Sequence, residues 1–237
     1  MKNVKEIFYS FLIMIVFNSC CEEKKKSFNN SVSDEKFSDS LNVGEKGITK
    51  AEIQNFRHGN NRNNFVKINF YTLKKIWVES KDGYFHYWKK TTNFYFDKDG
   101  TTGIDVEILD FNNDGYKDFT YQSGIAGRGG NLIRKLFVYN PESKRFIYIK
   151  NSDNYPNLSY NSKLRCISSF ILTGSVTTSF LKIKGDSLDE FAKINMSDKI
   201  VVEEKDSSGK FRIIQEEQID AEEDIYRAFT NYKPLEN

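Results

Sequence analysis

The chain has 237 residues, enough for one domain of ordinary size plus a tail. Its formal net charge is +2 and no basic stripe interleaved with aromatic residues is visible, so we predict no nucleic-acid partner. A mean hydropathy of -0.60 excludes a polytopic membrane protein. Aromatic residues make up 15% of the chain and only three prolines occur, a composition that favours β-sheet.

The N-terminus has the pattern of an export signal. Lys2 and Lys5 give a positive start, and residues 7–17 form a continuous apolar run that is too short to span a bilayer. A small residue and then Cys20 follow, which resembles a bacterial lipoprotein signal. Cleavage before Cys20 would leave its thiol to carry diacylglycerol, so Cys20 is the predicted lipid anchor. The alternatives are the neighbouring Cys21, an ordinary secretory signal, and a degenerate membrane anchor.

The segment after the signal is polar and has no hydrophobic periodicity, which is typical of a flexible tether. We predict a signal peptide over 1–19, a tether over 20–47 and a single domain over 48–237. The charged run at 22–26 resembles the tags of surface-exported lipoproteins in some Gram-negative bacteria. We therefore expect a protein of the bacterial cell envelope, lipid-anchored to the outer membrane on its periplasmic or surface face.

The domain is predicted to begin with a helical turn and to continue as strands. Residues 48–56 carry a helix-capping pattern, with Thr49 as the cap and Glu52 three residues on. Further along, Val66 and Ile68 alternate with polar neighbours, which is the two-residue period of a half-buried strand. The predicted strands lie at 65–71, 76–78, 84–88, 92–96, 102–109, 119–123, 132–139, 145–149, 164–172, 176–183, 188–194, 199–204 and 211–215.

Residues 110–118, with the sequence DFNNDGYKD, form the most distinctive motif. Oxygen-bearing side chains at loop positions one, three, five and nine, with a backbone carbonyl at seven, can surround one calcium ion. Gly115 lets the loop turn sharply, whereas Tyr121 replaces the glutamate that an EF-hand would need. The alternative is an Asp/Asn/Gly turn that binds nothing. The predicted ligands of a structural Ca²⁺ are Asp110, Asn112, Asp114, Tyr116 through its carbonyl, and Asp118.

The C-terminal half repeats the strand pattern and ends in a predicted helix over 219–229. Strands at such regular spacing, without long helices between them, predict an all-β fold. We expect an antiparallel multi-stranded meander, closed as a barrel, a sandwich or a propeller-like sheet, with a short C-terminal helix.

Cys166 lies in an apolar strand-like run, so we predict a buried thiol, and His58 and His86 are the only histidines. With no GxSxG or HExxH motif either, we predict that the protein is not an enzyme.

The middle third of the chain resembles a known bacterial family. The calcium motif, the glycine-rich loop at 124–130 and the turn at Tyr139, Asn140 and Pro141 are similar to periplasmic proteins and lipoproteins with one DxNxDG loop. A branch of that family consists of immunity proteins against lysozyme-like toxins, with a fold that resembles periplasmic lysozyme inhibitors. The calcium part is also shared by integrin-like repeats.

The resemblance implies a partner-binding loop. In lysozyme inhibitors a Ser-Gly-containing loop enters the acidic cleft of the enzyme, and Ser123 with Gly124 resembles that loop. Arg128 could pair with a catalytic carboxylate. The expected function is a binding protein, an inhibitor of a cell-wall hydrolase, whose calcium stiffens the adjacent loop. The alternative for the loop is a mobile hairpin without a partner.

A second hypothesis is a carbohydrate- or surface-binding adhesive module. Exposed aromatic rings can stack on sugars, and Trp77, Tyr84, Tyr87 and Trp88 are the candidates for a glycan partner. Aromatic runs in sheets more often belong to a core.

Overall fold

The computed structural model describes residues 31–58, 64–98, 102–219 and 226–236. The predicted signal peptide and the predicted lipidation site at Cys20 lie outside these residues. The described residues from Val32 onward belong to one compact unit.

Three antiparallel sheets contain most of the strands. The first sheet consists of β1 (Ser31–Asp39), β2 (Thr49–His58), β3 (Asn64–Val78) and β4 (Gly83–Lys98). The second consists of β5 (Val106–Glu107), β6 (Phe119–Ala126), β7 (Asn131–Asn140) and β8 (Arg145–Ile149). The third consists of β9 (Ser159–Asn161), β10 (Cys166–Leu172), β11 (Val176–Lys184), β12 (Ser187–Met196), β13 (Lys199–Lys205) and β14 (Phe211–Gln218). A small hairpin, β15 (Asn231–Tyr232) with β16 (Leu235–Glu236), follows near the C-terminus.

The prediction of an antiparallel all-β meander is confirmed. Within each sheet every strand is hydrogen-bonded to its neighbours in sequence, and the first and last strands remain at the edges. The described strands therefore form open sheets. Helical structure in the described part of the chain is limited to three short 3-10 turns. None of the helices in these residues is long and apolar enough to cross a membrane.

Strand β7 shows how the second sheet separates two hydrophobic cores. Because successive side chains of a strand point to opposite faces, Phe137 and Tyr139 enter one core while Leu136 and Val138 enter another. The first core is aromatic and also receives residues from β2, β3, β6 and β8. The second core is shared with β10 and β11 of the third sheet. This middle sheet also carries both loops that the sequence singles out.

The predicted tether is wrong from residue 31 onward. Ser31–Asp39 forms the edge strand β1, and Glu35 accepts a hydrogen bond from the Ile104 backbone amide (2.9 Å). Val43 is fully buried in the first core. An edge strand pairs through its backbone and needs few apolar side chains, of which β1 offers Phe37. The polar composition of this segment therefore gave no indication of strand β1.

Two helix predictions do not hold in the described residues. The predicted turn at 48–56 is strand β2, because Ala51 and Ile53 are buried at two-residue spacing and the strand is paired along its length with β3. Tertiary pairing overrides the capping pattern there. Of the predicted helix at 219–229, residues 220–225 lie outside the described part, and Tyr226 to Phe229 is not helical. Phe229 is buried in the core of the third sheet.

Several short predicted strands differ in extent. The strands predicted at 65–71 and 76–78 are both parts of β3, and those at 84–88 and 92–96 are both parts of β4, with a bulge at Thr91. Conversely, the strand predicted at 102–109 is reduced to Val106–Glu107.

Candidate functional site

The predicted calcium loop joins β5 to β6 and turns sharply. The backbone φ of Asn113 is 58° and that of Gly115 is 88°, so both residues are left-handed. Glycine adopts this conformation freely, and asparagine tolerates it better than most residues. The loop is attached to the segment between β1 and β2, because the Gly44 amide donates to the Lys117 carbonyl (2.7 Å).

The side-chain oxygens of the loop fold inward onto its own backbone. The Asp114 amide donates to Asp110 Oδ1 (3.1 Å) and to Asn112 Oδ1 (3.2 Å). The Gly115 amide donates to Asp110 Oδ2 (2.9 Å), and the Tyr116 amide donates to Asp114 Oδ1 (2.9 Å). Asn112 Nδ2 also donates to Asp114 Oδ2 (2.8 Å). The structure thus brings together three of the predicted ligands: Asp110, Asn112 and Asp114.

Asp118 lies beneath the loop and is fully buried. Its Oδ2 accepts from the Phe111 amide (2.8 Å) and its Oδ1 accepts from the Tyr139 amide (2.9 Å). Burial raises the pKa of Asp118 to about 7, against the lowering effect of these two hydrogen bonds, and the negative charges of Asp114 and Asp110 raise it further. Asp118 therefore ties the loop to β7. Each oxygen retains a lone pair, so its role as a ligand stays a prediction.

The loop concentrates negative charge, with three carboxylates against one lysine, Lys117. No lysine or arginine of the described residues forms an ion pair with Asp110, Asp114 or Asp118. Carboxylate and amide oxygens are the ligands that a hard cation prefers. Within the described ranges, however, no cluster of three or more His, Cys, Asp or Glu side chains is arranged as a metal site. Calcium binding, with the carbonyl of Tyr116 as a ligand, therefore stays a prediction.

A groove of about 730 Å³ lies beside this loop. One wall is the end of β1 with the segment that follows it, and the other includes residues of the loop itself. Asp39 shapes the first wall, because its Oδ1 accepts from the backbone amides of Leu41 (3.0 Å), Asn42 (2.7 Å) and Val43 (3.2 Å). The loop residues in the groove wall are Gly115, Tyr116 and Lys117.

The glycine-rich segment is the tip of the β6–β7 hairpin and is shorter than predicted. Strand β6 continues to Ala126, which leaves 127–130 as the turn. Ser123 is a bulge residue within β6, and its hydroxyl donates to the Ile133 carbonyl (3.2 Å), opposite Gly124. These two residues are half-buried in the strand, whereas Arg128 is exposed at the tip with a φ of 55°. The three predicted partner-binding residues therefore do not form one exposed site.

Two asparagines hold the base of this tip, and neither is among the site residues predicted from the sequence. Asn131 is buried; its Nδ2 donates to the Leu172 carbonyl (2.7 Å) and its Oδ1 accepts from the Leu172 amide (2.9 Å). Asn157 Nδ2 donates to the carbonyls of Gly130 (2.9 Å) and Phe170 (2.7 Å). The tip is thereby fixed to β10 of the third sheet.

One glycine of the tip is required by this packing. A Cβ on Gly127 would lie 2.5 Å from Asn131 Nδ2 and 3.0 Å from the Leu172 carbonyl oxygen. The backbone φ of Gly127 is also 59°. The glycine-rich composition thus reflects close approach to β10, and it does not by itself indicate a mobile loop.

The calcium loop and the glycine-rich tip lie at opposite ends of β6. The loop ends at Asp118, just before the strand, and the tip follows Ala126. At about 3.3 Å per residue, the strand separates them by roughly 23 Å. The expectation that the calcium loop adjoins the glycine-rich loop is therefore wrong. The element beside the calcium loop is the segment that carries Gly44.

Most of the candidate sugar-stacking residues are exposed. Strand β2 pairs with β3 only as far as Thr72, so residues 73–88 continue as a two-stranded ribbon, here called the β3–β4 arm. Trp77, Tyr84 and Tyr87 of this arm are exposed, and Trp88 is half-buried at its base.

The thiol of Cys166 is buried, as the sequence predicted. Burial raises its pKa to about 11, so the reactive thiolate is scarce at neutral pH. His86, in contrast, is exposed on the β3–β4 arm. Cys166 therefore has the surroundings of a structural residue.

No protein-family model matches the sequence, and no curated protein matches it either. One solved structure that is similar is described as a Xanthomonas type IV secretion system related protein. The TM-score is 0.43 at 12% sequence identity, and the match covers 78% of this chain and 98% of the other. The family of this chain stays a prediction from its motifs.

Proposed function

We propose that this protein is a calcium-stabilised binding protein of the bacterial cell envelope, anchored through Cys20, that inhibits a lysozyme-like peptidoglycan hydrolase. The observation that supports this proposal best is the glycine-rich tip. Its end is exposed and its base is fixed by the buried side chain of Asn131. A loop that is ordered before binding loses little conformational entropy when it meets a partner.

Arg128 is the residue of the tip that would contact the hydrolase. It is exposed, and within the described residues it forms no ion pair. A guanidinium can donate two parallel hydrogen bonds to a carboxylate. Most glycoside hydrolases use a pair of carboxyl groups beside the scissile bond. Arg128 at the end of a narrow hairpin would reach such a pair.

The calcium ion would have a structural role at the other end of β6. Asp110 and Asp114 lie close enough to the buried Asp118 for their negative charges to raise the pKa of Asp118. A bound Ca²⁺ would offset this repulsion and fix the loop against β7 and Gly44. Extracellular modules hold calcium with dissociation constants of about 0.1–1 mM.

The test is inhibition of peptidoglycan hydrolysis by a chain that starts at Glu22. This chain keeps every described residue and lacks both N-terminal cysteines. Lysozyme-type and amidase-type enzymes would be assayed with the wild type, Arg128→Ala and the control Arg145→Ala, an exposed arginine of β8. We expect inhibition of the lysozyme class that Arg128→Ala weakens at least about tenfold, which a lost charged contact can account for. Absence of inhibition across the panel would contradict the proposal.

The second candidate is a carbohydrate- or surface-binding module. The exposure of Trp77, Tyr84 and Tyr87 favours it, because these rings do not belong to a core. Binding of the same chain to insoluble peptidoglycan, with Trp77→Ala as the variant, would test it. If the variant still binds peptidoglycan as the wild type does, these rings do not form the glycan-binding site.

A further inference from the structure

The β3–β4 arm concentrates the exposed apolar surface of the molecule. Five of the twelve large hydrophobic side chains that are exposed in the described residues lie in this segment. Four of them are exposed by about half: Ile76 (47%), Trp77 (52%), Tyr84 (60%) and Phe85 (52%). Clusters of this kind on a soluble domain mark an interaction surface.

Apolar side chains occupy both faces of the arm. Trp77 is paired with Tyr84 across the ribbon, and Ile76 is paired with Phe85. Because neighbouring residues of a strand point to opposite sides, these two pairs lie on opposite faces. A partner that covers one face would leave the other in water. A ligand that covers the apolar surface of the arm therefore has to contact both of its faces.

The arm and its flanking residues are also basic. Residues 73–90 contain five lysines against two acids, Glu79 and Asp82, which gives a net charge of +3 with His86 neutral. The acids lie at the turn, in or beside the 3-10 segment Glu79–Lys81. The lysines are Lys74, Lys75, Lys81, Lys89 and Lys90. The partner should accordingly be negatively charged.

We propose that the β3–β4 arm binds the headgroup region of a bilayer that contains anionic lipids. Tryptophan and tyrosine are enriched at this depth of a membrane, and lysine side chains reach from it to the phosphates. Each lysine near an anionic surface adds to the attraction. The polar turn at Glu79–Lys81 stays hydrated, so the arm lies along the headgroups and does not cross the bilayer. Such a contact would orient the domain relative to the membrane.

The ring geometry favours a bilayer over a sugar chain as the ligand. Stacking on a sugar requires a free, flat ring face. The Trp77 and Tyr84 rings meet edge to face, with centroids 5.1 Å apart and an interplanar angle of 77°. The Lys75 ammonium lies over the Tyr84 ring at 4.7 Å from its centroid. A headgroup layer accepts rings in any orientation, whereas a glycan chain would find the Tyr84 face partly occupied.

The test uses the fact that both tryptophans of the chain, Trp77 and Trp88, belong to the arm. The chain that starts at Glu22 would be mixed with phosphatidylcholine vesicles and with vesicles containing phosphatidylglycerol. We expect co-sedimentation and a blue shift of tryptophan emission with the anionic vesicles, both reduced by raised salt. No binding to anionic vesicles, or equal binding to both kinds, would overturn the proposal. A blue shift with soluble peptidoglycan fragments but not with vesicles would overturn it in favour of a glycan ligand.

Matched variants locate the contact. Ile76→Ser with Phe85→Ser should reduce vesicle partitioning at least about tenfold, whereas Ile213→Ser with Ile214→Ser, exposed residues of β14, should not. Lys74→Glu with Lys75→Glu should have a similar effect to the first pair, against the control Lys184→Glu with Lys210→Glu, two exposed lysines outside the arm. Unchanged thermal melting of all four would show that each is folded. Equal partitioning of arm and control variants would overturn the proposal.

Discussion

The two ends of β6 carry loops that are held in different ways. At one end, Asp110, Asn112 and Asp114 hold the loop mainly through hydrogen bonds to its own backbone. At the other end, the glycine-rich tip is held by Asn131, which bonds to Leu172 in another sheet. The first arrangement concentrates charge and should respond to pH and cations. The second arrangement uses neutral amides, so its stability should depend on neither pH nor cations.

The largest expected difference between the two ends is their response to pH in chelator. Unfolded Asp118 ionises near pH 4, but in the folded state its pKa is about 7. Between these values the folded state binds more protons, so stability falls as pH rises. The difference between the two pKa values corresponds to a change of about 4 kcal/mol at most in the free energy of unfolding. Chemical denaturation of the wild type and Asp118→Asn between pH 4 and 8 would measure it.

The variant Asp118→Asn should lose this pH dependence, apart from a constant cost for one lost hydrogen bond. Calcium at saturating concentration should also abolish it in the wild type, because a cation favours the ionised carboxylate. Parallel pH profiles for the two proteins in chelator would contradict the assignment of the slope to Asp118.

Removing the amide that fixes the tip should be costly under all conditions. Asn131→Ala leaves the backbone amide and carbonyl of Leu172 without this partner in a partly buried setting. We expect a loss of about 2–4 kcal/mol in the free energy of unfolding, equal in calcium and in chelator. Urea denaturation in both buffers would measure it, and a loss that depends on calcium would contradict the separation of the two ends.

Asp114→Ala should show the opposite pattern. In 10 mM calcium, a site with a dissociation constant of 0.1–1 mM stabilises the folded state by about 1–3 kcal/mol, which the variant would lose. In chelator the variant should differ little from the wild type. Thermal melting in the two buffers tests this, and equal losses in both would remove the calcium hypothesis.

The smallest expected effect is that of Arg128→Ala on stability. The side chain is exposed at the tip and forms no hydrogen bond or ion pair within the described residues. Surface changes of this kind alter the free energy of unfolding by less than about 0.5 kcal/mol. Urea denaturation would show whether the residue is dispensable for folding, as a binding role requires.

The sequence predicted those features that depend on local spacing. The calcium loop turns at Gly115 as predicted, because glycine adopts the left-handed conformation freely. Strand β8 was predicted at its observed bounds, Arg145–Ile149, because a tight turn and alternating side chains define it. Both signals lie within a few residues of the structure that they specify.

Features that depend on contacts between distant residues could not be predicted from the sequence in this way. Asn131 meets Leu172 across 41 positions of the chain, and nothing near Asn131 indicates that partner. In the sequence, the aromatic residues of the arm resemble core residues. They are exposed because β2 pairs with β3 only as far as Thr72, which nothing near these residues indicates. Strand β1 is held by backbone pairing, which leaves little trace in its composition.

The order of the strands has a consequence for how the protein folds. Because every strand of the three sheets pairs with its sequence neighbours, each hairpin can close over a short stretch of chain. Short loops close quickly, so we expect this protein to fold fast for its strand content. The long-range bonds of Asn131 to Leu172 would form last and would lock hairpins that already exist. The N-terminal hairpins could therefore form before the rest of the chain is available to pair.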